Sequence, residues 1–227
     1  IKGKDSSKVV ATSAHIDTLG LMVRSIKGNG NLALTTLGGP STPTLDGEYC
    51  KVYTRDGKVY NGTIISTSPA AHVYKDASTK SRDVDNLEVR LDEVVKSAQD
   101  VKNLGIQNGD IVCYDPKFTI TESGFLKTRF IDDKASVVAL LTVLKILKDY
   151  QIVPEYTVKM IITMYEEVGH GASFIPDDII KMLCVDMGCI GKDLAGNEYS
   201  VSIAAKDSGG PYDYELTTRL INLAKKN

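Results

Sequence analysis

Short apolar runs occur in two distant parts of the chain, and each is followed by acidic or imidazole side chains. Residues 9–14 are followed by His15, and residues 160–164 are followed, after Tyr165, by Glu166 and Glu167. Runs of this kind predict strands that are buried in a parallel sheet. Because open α/β sheets carry their active sites at the carboxyl ends of the strands, we expect these polar residues to share one edge of the sheet.

A helical pattern follows residue 134. Apolar side chains recur there at spacings of three and four, at Val137, Leu140, Leu141, Leu144 and Leu147. This spacing predicts a helix with a broad apolar face. A second helix is predicted from about residue 214. Helices that alternate with apolar strands favour a mainly parallel sheet flanked by helices.

Residues 39–124 have a different pattern, with short β-rich segments and frequent turns. Asp-Gly and Asn-Gly pairs separate the segments, and such pairs favour tight turns. One short helix is predicted between Ser97 and Gly105, because serine caps helix starts and glycine ends them. The strands are predicted at 49–54, 59–66, 87–91 and 111–114. This region is predicted to be a small β-barrel or sandwich.

Together these patterns predict the α/β class, with a mainly parallel-containing sheet flanked by helices and an inserted small β-barrel-like domain. Residues 1–38 and 125–227 are expected to form one discontinuous α/β domain, and residues 39–124 the inserted domain. The first residues run directly into a predicted strand, and the last helix has no predicted cap. We therefore expect the α/β domain to be truncated at both ends.

Composition narrows the possible partners. The 227 residues are 42% hydrophobic, which is enough for a real core, and the net charge of −2 gives no argument for a nucleic-acid or anionic membrane partner. No apolar run is as long as a membrane span. The four cysteines show no CxxC spacing, which favours reduced thiols and a cytoplasmic location.

The candidate chemistry lies where the apolar runs end. His15 and Asp17 could be an ordinary polar cluster, or a metal-ligating imidazole oriented by a carboxylate. Asp132 and Asp133 precede the predicted helix, so they could cap it, bind metal, or divide the two roles between them.

The acidic pair Glu166 and Glu167 is harder to explain by structure alone, because it directly follows an apolar strand and precedes glycines. One carboxylate could hold a metal while its neighbour moves protons. Asp186 repeats the strand-end pattern further along the chain. A mixed set of carboxylates and imidazole suits zinc, cobalt or manganese.

Taken in order, these motifs resemble a known family. The sequence reads AHxD at residues 14–17, DDK at 132–134, EEVG at 166–169, VDMG at 185–188 and KDSGGPY at 206–212. This ordered set is similar to the deblocking and glutamyl aminopeptidases, the dinuclear-metal peptidases that form tetrahedral assemblies. The resemblance covers nearly the whole chain, including the segment Gly38-Gly39-Pro40.

The resemblance implies a set of metal ligands. His15 and Asp186 would bind one metal ion, Asp132 would bridge two ions, and Glu167 would bind the second. Two divalent ions are expected in the full-length protein, with zinc first and cobalt or manganese as alternatives. The sequence itself does not separate the three metals.

The resemblance also implies the catalytic roles. Glu166 would be the general base and Asp17 would orient His15. The peptide bond between Asp132 and Asp133 would be cis. Residues 1–38 and 125–227 would then be the catalytic domain, and residues 39–124 would serve assembly and access to the active site.

Two features depart from the family pattern. Thr18 stands where many relatives carry an acid. The family also has a fifth ligand, a histidine near its C-terminus, and no histidine follows His170 in this sequence. We therefore expect the chain to lack one ligand of the Glu167 metal and to bind at most one ion well, on the His15–Asp186 side.

The leading hypothesis is a metal-dependent aminopeptidase that removes N-terminal residues from peptides through a metal-activated water. It is expected to be cytoplasmic and homo-oligomeric, and the family forms dodecamers. The alternatives are a glycoside hydrolase of the endoglucanase kind, because paired carboxylates also act on sugars, and a non-catalytic metal-binding scaffold. Metal content and hydrolysis of leucyl or acidic p-nitroanilides would separate the three.

Overall fold

The computed structural model describes residues 1–207 and 209–226. Two compact units are present, Ile1–Cys184 and Val185–Asn227. The helices are α1 (Ala98–Asn103), α2 (Ile131–Asp149) and α3 (Tyr214–Ala224), and short 3-10 helices span Thr42–Leu45, Val84–Asn86 and Glu166–Val168. The strands are β1 (Asp5–His15), β2 (Gly20–Ile26), β3 (Leu32–Leu37), β4 (Tyr49–Tyr53), β5 (Val59–Ser66), β6 (Leu87–Leu91), β7 (Ile111–Tyr114), β8 (Thr119–Ile120), β9 (Leu126–Lys127), β10 (Tyr156–Thr163), β11 (Ile179–Cys184), β12 (Lys206–Asp207) and β13 (Gly210–Pro211).

A parallel sheet forms one part of the first unit. Its strands have the order β10-β1-β11, and β1 runs parallel to both neighbours. The register pairs His15 with Thr163, so β1 and β10 end at the same edge of the sheet. Helix α2 packs against β1 through an apolar face that includes the buried Val137 and Leu140. The predicted parallel sheet with a covering helix is therefore confirmed.

A closed antiparallel barrel forms the other part of the first unit. Its strand order is β2-β3-β6-β5-β4-β7. Along β4 the side chains alternate, so that Cys50 and Val52 are buried while Tyr49, Lys51 and Tyr53 are exposed. This alternation is what a strand with one buried face requires. The barrel core consists of Leu21, Val23, Leu32, Leu34, Leu45, Cys50, Val52, Ile64, Leu87, Val89, Leu91, Val101, Ile106, Val112 and Tyr114.

The barrel begins earlier in the sequence than residue 39. Strand β2 pairs with β3 and β7, and β3 also pairs with β6, so residues 20–37 belong to the barrel rather than to the α/β part. The physical reason is that Leu21, Val23, Leu32 and Leu34 pack into the barrel core. The barrel therefore includes residues 20–37, which precede its predicted start at residue 39. The division of the chain into a catalytic and an inserted domain stays a prediction.

Two local predictions within the barrel are confirmed. The segment 59–66 is strand β5, paired with β4 and β6 and not with the parallel sheet. Helix α1 begins after Ser97, whose side chain accepts a hydrogen bond from the Asp100 amide at 3.2 Å. Gly105, just beyond the helix, has a φ of +93°, a conformation that glycine adopts without strain.

The second unit contains a short hairpin and a helix. Strands β12 and β13 pair antiparallel, and Ser208 of the KDSGGPY motif lies outside the described residues. Helix α3 starts at Tyr214, as predicted, because the Asp213 side chain accepts a hydrogen bond from the Leu216 amide at 2.7 Å. Within residues 1–207 and 209–226, every helix is too short or too polar to cross a membrane.

A buried carboxylate, Glu48, ties the barrel to the segment that leads into α2. Its two oxygens accept hydrogen bonds from Lys117 Nζ at 2.5 Å and Arg129 Nη1 at 3.1 Å. Burial alone would raise the pKa of the Glu48 carboxyl, but these charged hydrogen bonds outweigh it and hold the pKa below its ordinary value of 4.5. The ionised form is therefore the one that stabilises the fold.

We expect Glu48→Gln to destabilise the chain at neutral pH by about 1–2 kcal/mol, because glutamine carries no negative charge and has one acceptor oxygen, so its NH₂ group faces one of the two cationic donors. A carboxyl whose pKa is lowered by folding contributes stability above its unfolded pKa and loses it as the pH falls through the folded value. The difference between wild type and variant should therefore shrink below about pH 4.5. Urea unfolding at pH 7 and pH 3.5 measures this, with Glu122→Gln at an exposed position as control. An equal difference at both pH values would contradict the assignment.

Candidate metal centre

His15 is the last residue of β1, and its side chain is buried at the carboxyl edge of the parallel sheet. The ring nitrogen Nδ1 lies 3.2 Å from the main-chain oxygen of Asp17 and 3.4 Å from Asp17 Oδ1. Both contacts favour the tautomer that carries its proton on Nδ1. The other nitrogen, Nε2, is then the one that can bind a metal.

Two carboxylates approach His15 Nε2. Asp132 Oδ1 lies 3.1 Å from it and Glu166 Oε2 lies 3.5 Å from it. The His15 side chain is 2% exposed, whereas those of Asp132 and Glu166 are 41% and 47% exposed. A buried imidazole nitrogen therefore faces two carboxylates that solvent reaches.

Asp17 connects the imidazole to the glutamate pair. Its Oδ1 accepts a hydrogen bond from the Glu166 amide and its Oδ2 accepts one from the Glu167 amide, each at 3.2 Å. The sequence predicted that Asp17 orients His15, but it did not predict these bonds. A sign was present, because a helical turn directly after a strand leaves amide groups that need an acceptor.

The glutamate pair lies on a tight turn rather than on the strand itself. The 3-10 helix Glu166–Val168 is flanked by Tyr165 and Gly169, both with left-handed backbone at φ values of 65° and 80°. This turn leaves Glu166 exposed and Glu167 half-buried. Burial first, and then the negative charge of Asp132, raise the pKa of the Glu167 carboxyl.

Asp133 has a role that the sequence did not predict. It is 2% exposed, and its Oδ2 accepts a hydrogen bond from the His15 amide at 3.2 Å. The backbone is non-helical at Asp132 (φ −68°, ψ 113°) and Asp133 (φ −116°, ψ 29°), so the regular part of α2 begins after Asp133. A capping role for Asp133 stays a prediction. The peptide bond between Asp132 and Asp133 is cis, as the family resemblance implied.

Asp186 belongs to the second unit and follows the last residue of β11 by two positions in the sequence. Its Oδ1 accepts a hydrogen bond from the Met187 amide at 2.6 Å. Its role as a ligand stays a prediction.

The ligand set in the first unit fits a divalent metal ion. An imidazole nitrogen and carboxylate oxygens converge, and neighbouring negative charges contribute to the raised pKa of Glu167. A divalent cation would relieve the repulsion among these carboxylates. Nitrogen and oxygen ligands of this kind suit zinc, cobalt and manganese alike.

Comparison with known proteins agrees with this geometry. The model of the M42 glutamyl aminopeptidase family matches residues 1–227. The chain belongs to this family. The resemblance seen in the order of the motifs is therefore confirmed. The matched region includes both the parallel sheet and the barrel.

Individual proteins are similar over nearly the whole chain. "Putative aminopeptidase YhfE" of Bacillus subtilis (strain 168) is 45% identical over 228 residues, which cover 100% of this chain and 66% of that protein. The solved structure of aminopeptidase APDkam598 from the archaeon Desulfurococcus kamchatkensis has a TM-score of 0.72 and 26% identity, and the match covers 99% of this chain and 63% of that one. The chain thus spans slightly less than two thirds of the length of each of these two proteins.

A further structure shares the fold. The TET1 peptidase of Pyrococcus horikoshii, which can assemble into a tetrahedron or a large octahedral shell, has a TM-score of 0.78 and 24% identity. The match covers 100% of this chain and 68% of that one. At this identity the likeness establishes the fold.

Proposed function

We propose that this chain carries the metal-binding and proton-transfer residues of a metal-dependent aminopeptidase, which removes N-terminal residues from peptides. The observation that supports this most directly is the approach of Asp132 and Glu166 to His15 Nε2 at the open edge of the sheet. Membership of the M42 family is consistent with it.

The proposed metal ligands follow the family pattern. In the protein that contains this chain, His15 and Asp186 would hold one ion, Glu167 would hold a second, and Asp132 would contribute to both. We propose zinc, with cobalt and manganese as the alternatives. When bound, such ions act as Lewis acids that polarise a peptide carbonyl and make a water molecule more acidic.

The two glutamates are proposed to have different tasks. Glu166 is exposed and lies on the solvent side of His15, so its carboxylate can take a proton from the attacking water and deliver it to the leaving amine. Glu167 is half-buried, and burial and then the negative charge of Asp132 raise the pKa of its carboxyl, which suits a group that shares a cation with Asp132. Asp17 fixes the distance between these glutamates and the imidazole, because it is bonded to both.

The substrates, the oligomeric state and the location of the enzyme are also proposals. Its substrates are peptides with a free N-terminus, copies of the protein assemble into a homo-oligomer, and the location is cytoplasmic. The experiment that tests the proposed activity is hydrolysis of leucyl and acidic p-nitroanilides by the protein that contains this chain, with and without a chelator. Metal-dependent release of p-nitroaniline supports the proposal. Metal binding without hydrolysis would instead support a non-catalytic scaffold.

A glycoside hydrolase is not favoured by the geometry. Paired catalytic carboxylates in such enzymes face each other across the sugar. Glu166 and Glu167 are neighbours in a single turn, and only Glu166 is exposed. They do not form a facing pair.

A further inference from the structure

The glutamate turn is the 3-10 helix Glu166–Val168, and the barrel contacts it at Gly38. Gly38 follows the last residue of β3, and a Cβ atom placed on it would lie 2.8 Å from the main-chain oxygen of Glu167 and 3.5 Å from Glu167 Cβ. The same atom would lie 2.5 Å from Leu19 Cδ2. The φ of Gly38 is +71°, which other residues adopt with strain. The backbone at the end of β3 therefore packs directly against the backbone of the turn.

Other contacts hold the same turn from different directions. The Asp17 carboxylate accepts hydrogen bonds from the amides of Glu166 and Glu167. A Cβ atom on Gly171 would lie 3.1 Å from Glu166 Cβ and 3.2 Å from Glu166 Cα. Asp17, Gly38 and Gly171 thus all lie against this turn.

We infer that Gly38 is a positioning residue for Glu166 and Glu167. It touches no reacting atom; it sets how closely the barrel approaches the carbonyl of Glu167. A side chain at this position must push the turn away, because backbone oxygen cannot rotate aside as the end of a flexible side chain can. The barrel then determines where the proposed base and metal ligand lie, in addition to any role in assembly.

The consequence for turnover rests on the proposed function, whereas the consequence for the turn itself does not. A displacement of the order of 1 Å in a catalytic group can lower a rate by about a hundredfold. A displaced Glu167 amide also loses its alignment with Asp17 Oδ2. Amide hydrogen exchange detects that loss without any metal or substrate.

The test is hydrogen exchange of the Glu166 and Glu167 amides in the metal-free chain carrying Gly38→Ala. We expect both amides to exchange about tenfold faster or more than in wild type, because local opening of the turn becomes easier. The exchange of Val52 in the barrel core should stay slow, which shows that the barrel remains folded.

Two glycines provide matched controls. Gly39→Ala adds a methyl group next door, where no atom lies within 4 Å. Gly57→Ala imposes the same kind of strain, because its φ is +84°, but it also has no atom within 4 Å. Both should leave exchange of the Glu166 and Glu167 amides unchanged within about twofold. If Gly57→Ala has the same effect as Gly38→Ala, general backbone strain explains the result and the inference is wrong.

A double variant separates the two contacts of Gly38. Leu19→Ala removes the clash with Leu19 Cδ2 but leaves the one with the Glu167 carbonyl. We expect Leu19→Ala not to restore slow exchange to Gly38→Ala, and full restoration would overturn the inference.

If Gly38→Ala does not fold, Gly38→Asn takes its place, because asparagine tolerates positive φ and presents the same Cβ. Wild-type exchange in a folded Gly38→Asn would equally overturn it.

The activity measurement comes second. In the protein that contains this chain, Gly38→Ala should lower kcat by about tenfold or more with KM changed by less than about twofold, as expected when groups that act in the transition state are misplaced. An unchanged kcat alongside faster amide exchange would contradict the link to turnover. An absence of any peptidase activity would remove the proposed function while the exchange result still decides the role of Gly38.

Discussion

Replacing Glu166 by glutamine in the protein that contains this chain should lower kcat by about two orders of magnitude or more. Glutamine has nearly the shape of glutamate but cannot accept a proton, so the proposed proton transfer is lost while the turn is kept. The turn is held through the amide of residue 166, which the substitution does not alter. Metal content should therefore stay near the wild-type value. Steady-state kinetics with aminoacyl p-nitroanilides and elemental analysis measure the two quantities.

Glu167→Gln is the matched control for this variant. The two residues are adjacent in one turn, but Glu166 is exposed whereas Glu167 is half-buried, and burial and then the negative charge of Asp132 raise the pKa of the Glu167 carboxyl. Glu167→Gln should lose metal, and added metal should partly restore its activity. If Glu166→Gln turns over at nearly the wild-type rate, the proposed base is wrong. If both variants lose metal equally, the division of roles between the glutamates is wrong.

Replacing Asp17 by asparagine should weaken metal binding by about 10–100-fold, the usual effect of removing a partner that orients a ligand. The carboxylate of Asp17 accepts from two amides and lies beside His15 Nδ1. An asparagine amide group has only one oxygen, so its NH₂ must face a donor. The glutamate turn would lose the acceptor of one amide, and His15 would lose the charge beside Nδ1 while it keeps the contact with the Asp17 main-chain oxygen.

Asp5→Asn provides the comparison for Asp17→Asn, because Asp5 lies at the opposite end of the same strand β1. It should leave metal affinity unchanged. Competition with a chromophoric chelator measures the affinity of each variant. Asp17→Asn with wild-type affinity would show that Asp17 does not position the ligands.

Much of the α/β part could be predicted from local pattern. The apolar run of residues 9–14 and the helical spacing from Val137 to Leu147 correspond to β1 and α2. The membership of β2 and β3 in the barrel could not be predicted in this way. A strand with period-two alternation has the same local sequence signature whichever sheet it joins, and here the partners of β2 and β3 include β6 and β7, far along the chain.

The candidate site, too, could be predicted from the sequence only in part. His15, Asp132 and Glu166 follow apolar segments, so their types and positions in the sequence pointed to one edge of a sheet, and the structure brings these three together. The bond from the His15 amide to Asp133 joins residues 118 positions apart, and those from the glutamate amides to Asp17 span 149 and 150. Such contacts follow from the folded backbone, which no local pattern specifies.

The central claim is that His15 Nε2 is a metal ligand, and calorimetric titration of the metal-free chain with zinc tests it most directly. His170 lies exposed after the glutamate turn, so His170→Ala removes an imidazole without touching the proposed site. We predict that wild type and His170→Ala bind zinc alike, and that His15→Ala binds about a hundredfold more weakly or not at all. Binding by His15→Ala at wild-type affinity would contradict the account.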